Sequence, residues 1–236
     1  MVPAMKRRDF VRACAAAAGG AALPDASQAA LLSARMYRRA KLVDERNQPI
    51  RPDALAAGTN YVFDYPYSST PCFLLRLDKP VTAIELKTES GQPYRWEGGV
   101  GKQKAVVAYS AICAHKLTYP TKQVTFIGYR SEPSPVAPSG KVITCCSDRS
   151  VYDPAAGARV VSGPAPQPLA TILLEHDAKT DELWAVGTFG GEMFAEFFRR
   201  FEFRLQLEMG GRVREQVSGT TVVKPLESFS TQWAKC

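Results

Sequence analysis

The chain has 236 residues, 45% of them hydrophobic and 22% charged, with 30 Lys and Arg against 23 Asp and Glu and a net charge of +7. This is ordinary globular composition, enough for one large domain or a domain with extensions. Residues 1–29 carry four of the basic and two of the acidic side chains; without them 26 face 21, an excess of +5 that suits acidic partner surfaces, while no basic run or reading motif points to nucleic acid.

The start, "MKRRDFVRACAAAAGGAALPDASQA", reads as a targeting segment over residues 1–29. Lys6 to Arg8 precede a weakly apolar Ala/Gly run from Val11 to Leu23, and Ser27-Gln28-Ala29 offers small residues for cleavage. Arg7-Arg8 followed by Asp9, Phe10 and Val11 resembles a twin-arginine export signal, which predicts a bacterial periplasmic location. Thirteen weakly apolar residues are few for a bilayer span, so membrane association is expected only through an uncleaved N-terminal segment.

Residues 30–55, with "LLSARMYRRAKLVDER", read as a linker or one short helix. From Tyr61 to Val107, β-type runs ("YVFDYPY", "PCFLLRL", "TAIELKT", "YRWEGGV", "KAVVAYSAIC") alternate with Pro, Gly, Asp and Asn every 8–12 residues. That is the pattern of an antiparallel sandwich or barrel. "EPSPVAPSG", residues 132–140, is a Pro/Ser-rich loop. "ATILLEHDAKTDELWAVGTFG" predicts a hairpin with strands near Ala170–Glu175 and Glu182–Val186. Residues 191–236 form an extension. Phe194, Phe197, Phe198, Phe201 and Leu205 lie at helical spacing, suited to packing on the barrel or to docking a larger subunit, and "TTVVKPL" follows as a strand.

Of six cysteines, Cys72 sits in an apolar run as a small hydrophobe. Uneven spacing does not describe a disulfide framework. Cys113 follows the apolar strand "AVVAYSAI" and opens Cys113-Ala114-His115. Farther on come Cys145-Cys146-Ser147-Asp148-Arg149-Ser150-Val151-Tyr152-Asp153-Pro154, then Gly157 and "SGPAPQPL" from Ser162 to Leu169.

In these motifs the chain resembles the Rieske domain, from about Ala105 to Gly190 with looser support back to Tyr61. The resemblance implies an all-β domain over residues 56–190, an antiparallel sandwich or barrel with a cluster-binding part at about 105–170, followed by a short C-terminal helix. It implies a 2Fe–2S cluster with one iron on two cysteines and the other on two histidines, supplied by C-x-H and C-x-x-H loops. The family's second loop reads C-P-C-H-G-S-x-Y-D, so in the gapless register Cys145 is the ligand and Asp148 stands where histidine belongs. A shift of one residue makes Cys146 the ligand and Arg149 the substitute. Carboxylate is the better iron ligand of the two, since guanidinium stays protonated. The only other histidine, His176, falls in the hairpin turn.

Ser150 and Tyr152 take the positions of hydrogen-bond donors to cluster and cysteine sulfur, and Pro164 with Pro166 that of a covering proline loop. The crosslink that braces the two loops in the respiratory branch needs cysteines at Thr118 and Ser147, where there are none. The implied function is an exported electron-transfer protein, similar to small iron–sulfur subunits of quinol–cytochrome c reductase or arsenite oxidase. Its partner would be a redox protein or a larger oxidoreductase subunit, and no residue is read as catalytic. Two other readings stand beside it: a cluster-less docking module, and a mononuclear zinc site on the same Cys, His and carboxylate side chains.

Overall fold

The computed structural model describes residues 31–191 and 193–236, so the targeting segment expected at 1–29 lies outside it. The central sheet begins with β1 (Arg35–Val43), β2 (Tyr61–Asp64), β3 (Pro71–Arg76) and β6 (Val106–Ser110). It continues with β12 (Thr171–Asp177), β13 (Glu182–Phe189), β14 (Gly219–Val222) and β15 (Lys224–Pro225). Their spatial order is β14-β1-β13-β12-β6-β3-β2-β15. The two outermost strands are consecutive in the chain with only Val223 between them, and Thr221 of β14 donates its hydroxyl to Asp64 O of β2 at 2.9 Å. The sheet therefore curls into a near-barrel.

Period-two alternation explains how its central strands are buried on both faces. Cys72 and Leu74 of β3, with Val106 and Ala108 of β6, join Leu42, Phe63, Ile172 and Leu183 in the barrel interior. The intervening Phe73, Leu75, Val107 and Tyr109 face outward into a second core shared with Tyr129, Ile143 and Tyr152. Those last residues belong to a smaller four-stranded sheet of β8 (Ile127–Arg130), β9 (Val142–Cys145), β10 (Ser150–Asp153) and β11 (Arg159–Ser162), ordered β11-β10-β9-β8. Polar stitches fix the two sheets together. Tyr109 donates its hydroxyl to Pro154 O at 2.7 Å, and the Asn60 amide bonds the Tyr129 backbone in both directions at 2.6 and 2.8 Å.

Arg35–Val43 is a strand, not a linker or helix. Ala40 and Leu42 point into the barrel, while Arg39 and Lys41 point out, lie over the Trp184 ring and pair with Glu175 and Glu182. The predicted hairpin is β12 and β13, and the aromatic run is a helix, α1 (Met193–Met209). Smaller elements are β4 (Ile84–Lys87) paired with β5 (Pro93–Trp96), β7 (Val124–Thr125), α2 (Leu226–Phe229) and β16 (Gln232–Trp233). Leu31 to Cys236 form one compact unit, and among the described residues no helix is long and apolar enough to cross a membrane.

One carboxylate at the barrel seam makes stability pH-dependent. Burial pushes Asp64 up to about 7, against the pull of Lys224. An unfolded Asp titrates near about 4, so between these values the native chain holds the proton that the unfolded chain has lost, and stability falls as pH rises from about 4 to about 7. Asp64→Asn is expected to remove this slope and to stabilise the protein at pH 8 by on the order of 2 kcal/mol, allowing for partial hydration. Urea titrations at pH 5 and 8 measure the difference.

Candidate metal centre

Two loops built alike converge beside the second core. After β6 the chain turns at Cys113: its carbonyl accepts from Leu117 N at 3.0 Å, and Leu117 takes φ 57°. After β9 it turns at Cys145 in the same way: the carbonyl accepts from Arg149 N at 2.7 Å, and Arg149 takes φ 63°. Each cysteine thus opens a tight turn closed by a left-handed residue. Arg149 occupies a glycine position of the motif, which needs no side chain and gains from the conformational freedom glycine has there.

The loop tips bring four donor groups together. Cys113 Sγ, Cys145 Sγ and an Asp148 carboxylate oxygen all lie within 4.8 Å of one another, with both cysteines buried. Asp148 Oδ2 is 3.3 Å from Cys113 Sγ and 3.0 Å from His115 Nδ1. The His115 ring is about a third exposed, whereas the Asp148 side chain is almost wholly enclosed.

Hydrogen bonding sets the protonation of the cluster of side chains. The Cys145 thiol donates to Cys113 and pulls its pKa down; the Tyr152 hydroxyl and the His115 and Lys116 amides add to this, with burial opposing. The same bond pushes the Cys145 thiol far up, reinforced by burial and by the charges of Cys113 and Asp148. Burial alone would raise Asp148, but the Ser150 amide, donating to Oδ1 at 2.9 Å, leads the hydrogen bonds that hold it below the usual carboxylate range, the Ser150 hydroxyl among them. The pocket therefore favours one negative sulfur, on Cys113, and an ionised Asp148, while Cys145 keeps its proton; a bound cation would have to displace that proton.

Tyr152 hydroxyl lies 3.4 Å from Cys113 Sγ and accepts from Ala114 N at 3.3 Å. Ser150 Oγ is buried beside the Asp148 carboxylate, which it helps to hold ionised. Pro164 is exposed, whereas Pro166 lines an open cleft of about 550 Å³ beside His115, with Leu117, Gln167, Met193 and Arg200. His176 pairs with Asp181 at 2.8 Å in the β12–β13 hairpin, away from this set.

Of the two registers the sequence allows, the gapless one places Cys145 beside Cys113 and Asp148, while Cys146, the sulfur of the shifted register, is disulfide-bonded to Cys236. The chain thus carries a crosslink that cysteine spacing did not reveal. Gly163 is a further site residue. It has φ 90°, and a Cβ there would stand 2.6 Å from Arg149 O and Ser150 Cα. Gly163→Ala is expected to cost about 2–4 kcal/mol and to displace the Cys145 loop, since backbone cannot yield as a side-chain tip does. Chemical denaturation with metal titration reads both effects.

Fold and site together define a mostly-β protein with a cluster of sulfur, imidazole and carboxylate side chains between two paired loops. No protein-family model matches the chain. Among solved structures it is similar to the soluble domain of the Rieske protein II from Sulfolobus acidocaldarius, at 28% identity and a TM-score of 0.48, over 64% of this chain and 78% of that one.

Proposed function

We propose that the chain is an exported electron-transfer protein, or the electron-transfer subunit of an oxidoreductase, that carries a Rieske-type 2Fe–2S cluster. The observation that carries this reading is the pairing at the loop tips: thiol with thiol, Cys113 to Cys145, and imidazole with carboxylate, His115 to Asp148. A Rieske centre has this asymmetry, with sulfur ligands on one iron and the others on the second. Cys113 and Cys145 would hold the first iron, and His115 and Asp148 the second.

When bound, such a cluster supplies one-electron transfer. The chain's own groups would tune it. Amide donors from His115 and Lys116 to Cys113, and from Ser147 to Cys145, stabilise negative sulfur, as does the Tyr152 hydroxyl. Asp148 adds a negative charge where a neutral imidazole would stand, which favours the oxidised state. His115, the exposed member, is the edge through which electrons leave, and its cleft beside Arg200 suits a redox partner. Export to the bacterial periplasm is supported by the Arg7-Arg8 pattern.

A single zinc ion is the second reading. Ligands around one tetrahedral ion at about 2.0–2.3 Å stand roughly 3.3–3.8 Å apart, close to the 3.3 and 3.0 Å that Asp148 keeps to Cys113 and His115. Iron and acid-labile sulfide per chain, with EPR of the dithionite-reduced protein, separate the two. Two irons, two sulfides and a rhombic signal are expected; one zinc and no sulfide would replace electron transfer by a mononuclear site.

A further inference from the structure

The tail from Ser230 to Cys236 touches the segment that follows the Cys113 loop and is bonded to the Cys145 loop itself. It first runs along the segment that leaves the Cys113 loop. Ser230 Oγ donates to Thr121 O at 2.6 Å, Thr231 N to Lys122 O at 3.0 Å, Gln232 N to Gln123 O at 3.1 Å and Ala234 N to Thr125 O at 2.9 Å. β16 and β7 pair in parallel there. It then crosses to the Cys145 loop. Arg130 donates to Ala234 O at 2.8 Å with its guanidinium 4.9 Å above the Trp233 ring, and Cys236 is bonded to Cys146, next to Cys145 in sequence.

The seat is built for this tail. Gly128 of β8 leaves the space Trp233 fills: a Cβ there would come within 2.9 Å of the ring. Thr118 and Ser147, where the resemblance places a direct crosslink between the loops, carry no sulfur.

We propose that the C-terminal tail is the brace of the metal centre: its ladder to Lys122–Thr125 and its disulfide to Cys146 fix the Cys113 loop against the Cys145 loop, and metal retention depends on Cys236. The same bond takes up the Cys146 sulfur, leaving Cys145 as the one thiolate its loop can offer. The inference rests on the reading of this site as a metal centre, and the test separates the two.

The full chain, prepared under oxidising conditions, is compared with the Cys146→Ser/Cys236→Ser double variant by iron release to a chelator and by hydrogen exchange. The expected result is release at least tenfold faster, with exchange at least tenfold faster in both residues 111–120 and 145–149 and a smaller change in β12 and β13. Unchanged release with unchanged loop exchange overturns the proposal. So does acceleration in one loop alone, or the same acceleration in β12 and β13, which would mark a crosslink that only stabilises the whole fold. Should the variant not fold, phosphine reduction of the parent, followed by reoxidation with oxidised glutathione, gives the same comparison reversibly. If the parent holds neither iron nor zinc, the metal reading fails by itself, and the exchange data still decide whether the tail braces the loops.

Discussion

On the proposed reading, with a 2Fe–2S cluster bound, an Asp148→His variant is expected to keep the cluster and to show a midpoint potential higher by on the order of 100 mV. Asp148 is nearly enclosed and touches both Cys113 and His115, so its charge acts on the centre with little screening. One unit charge about 4 Å away at an effective dielectric of about 20 is worth about 4 kcal/mol, or roughly 170 mV for one electron, and hydration reduces it. Replacing carboxylate by neutral imidazole removes that charge. It also adds a second titrating ligand, so the potential of the variant should fall more steeply with rising pH than that of the parent. Voltammetry from pH 6 to 10 measures both effects. An unchanged potential in a variant that still holds iron would mean that Asp148 is not bound to the metal. The Ser150 amide loses its acceptor in the exchange, and a stability loss of about 1–2 kcal/mol should accompany the shift.

Phe197→Ala is expected to destabilise the chain by about 3–5 kcal/mol and to weaken metal binding with it. Phe197 is fully buried under α1, edge-on to Tyr119 at 5.0 Å and 5.4 Å from Phe201. The core it anchors includes Ile112 and Leu117, which flank Cys113 and His115. The aromatic face of the helix thus supports the first ligand loop from below. Phe203, three-quarters exposed on the same helix, is the control: Phe203→Ala should stay within about 0.5 kcal/mol. Urea unfolding of the two variants tests the contrast. Equal losses at both positions would contradict this packing.

Much of this architecture could be read from the sequence because it depends on local patterns. Alternation in "PCFLLR" and "VVAYS" specifies strands that serve two cores at once, and the helical spacing from Phe194 to Leu205 specifies α1. Cys113-Ala114-His115, and Asp148 in gapless register with Cys145, are local signals too, and the fold brings those four side chains together. What escaped depends on distant partners. Arg35–Val43 carries enough charge to read as a helix, and only Trp184, Glu175 and Glu182 across the sheet give its basic side chains a place outside the barrel. The Cys146–Cys236 bond joins residues 90 apart in sequence. Elimination was the available signal: Cys145 has one sulfur neighbour too many for a single-cysteine loop, and Cys72 lies in an apolar strand.

The closing of the barrel has a consequence for biosynthesis. Apart from a local bridge from Val43 to Pro49, β1 pairs among the described strands with β13 and β14, so it waits for strand partners made some 140 residues later. Both metal loops are translated before β14 and β15 arrive to shut the seam. Such long-range pairing slows folding and leaves strand edges open meanwhile, when β1 is open to pairing with other chains. A nascent chain stalled before residue 219 should therefore be easily digested by protease, and one extended past residue 233 should resist it.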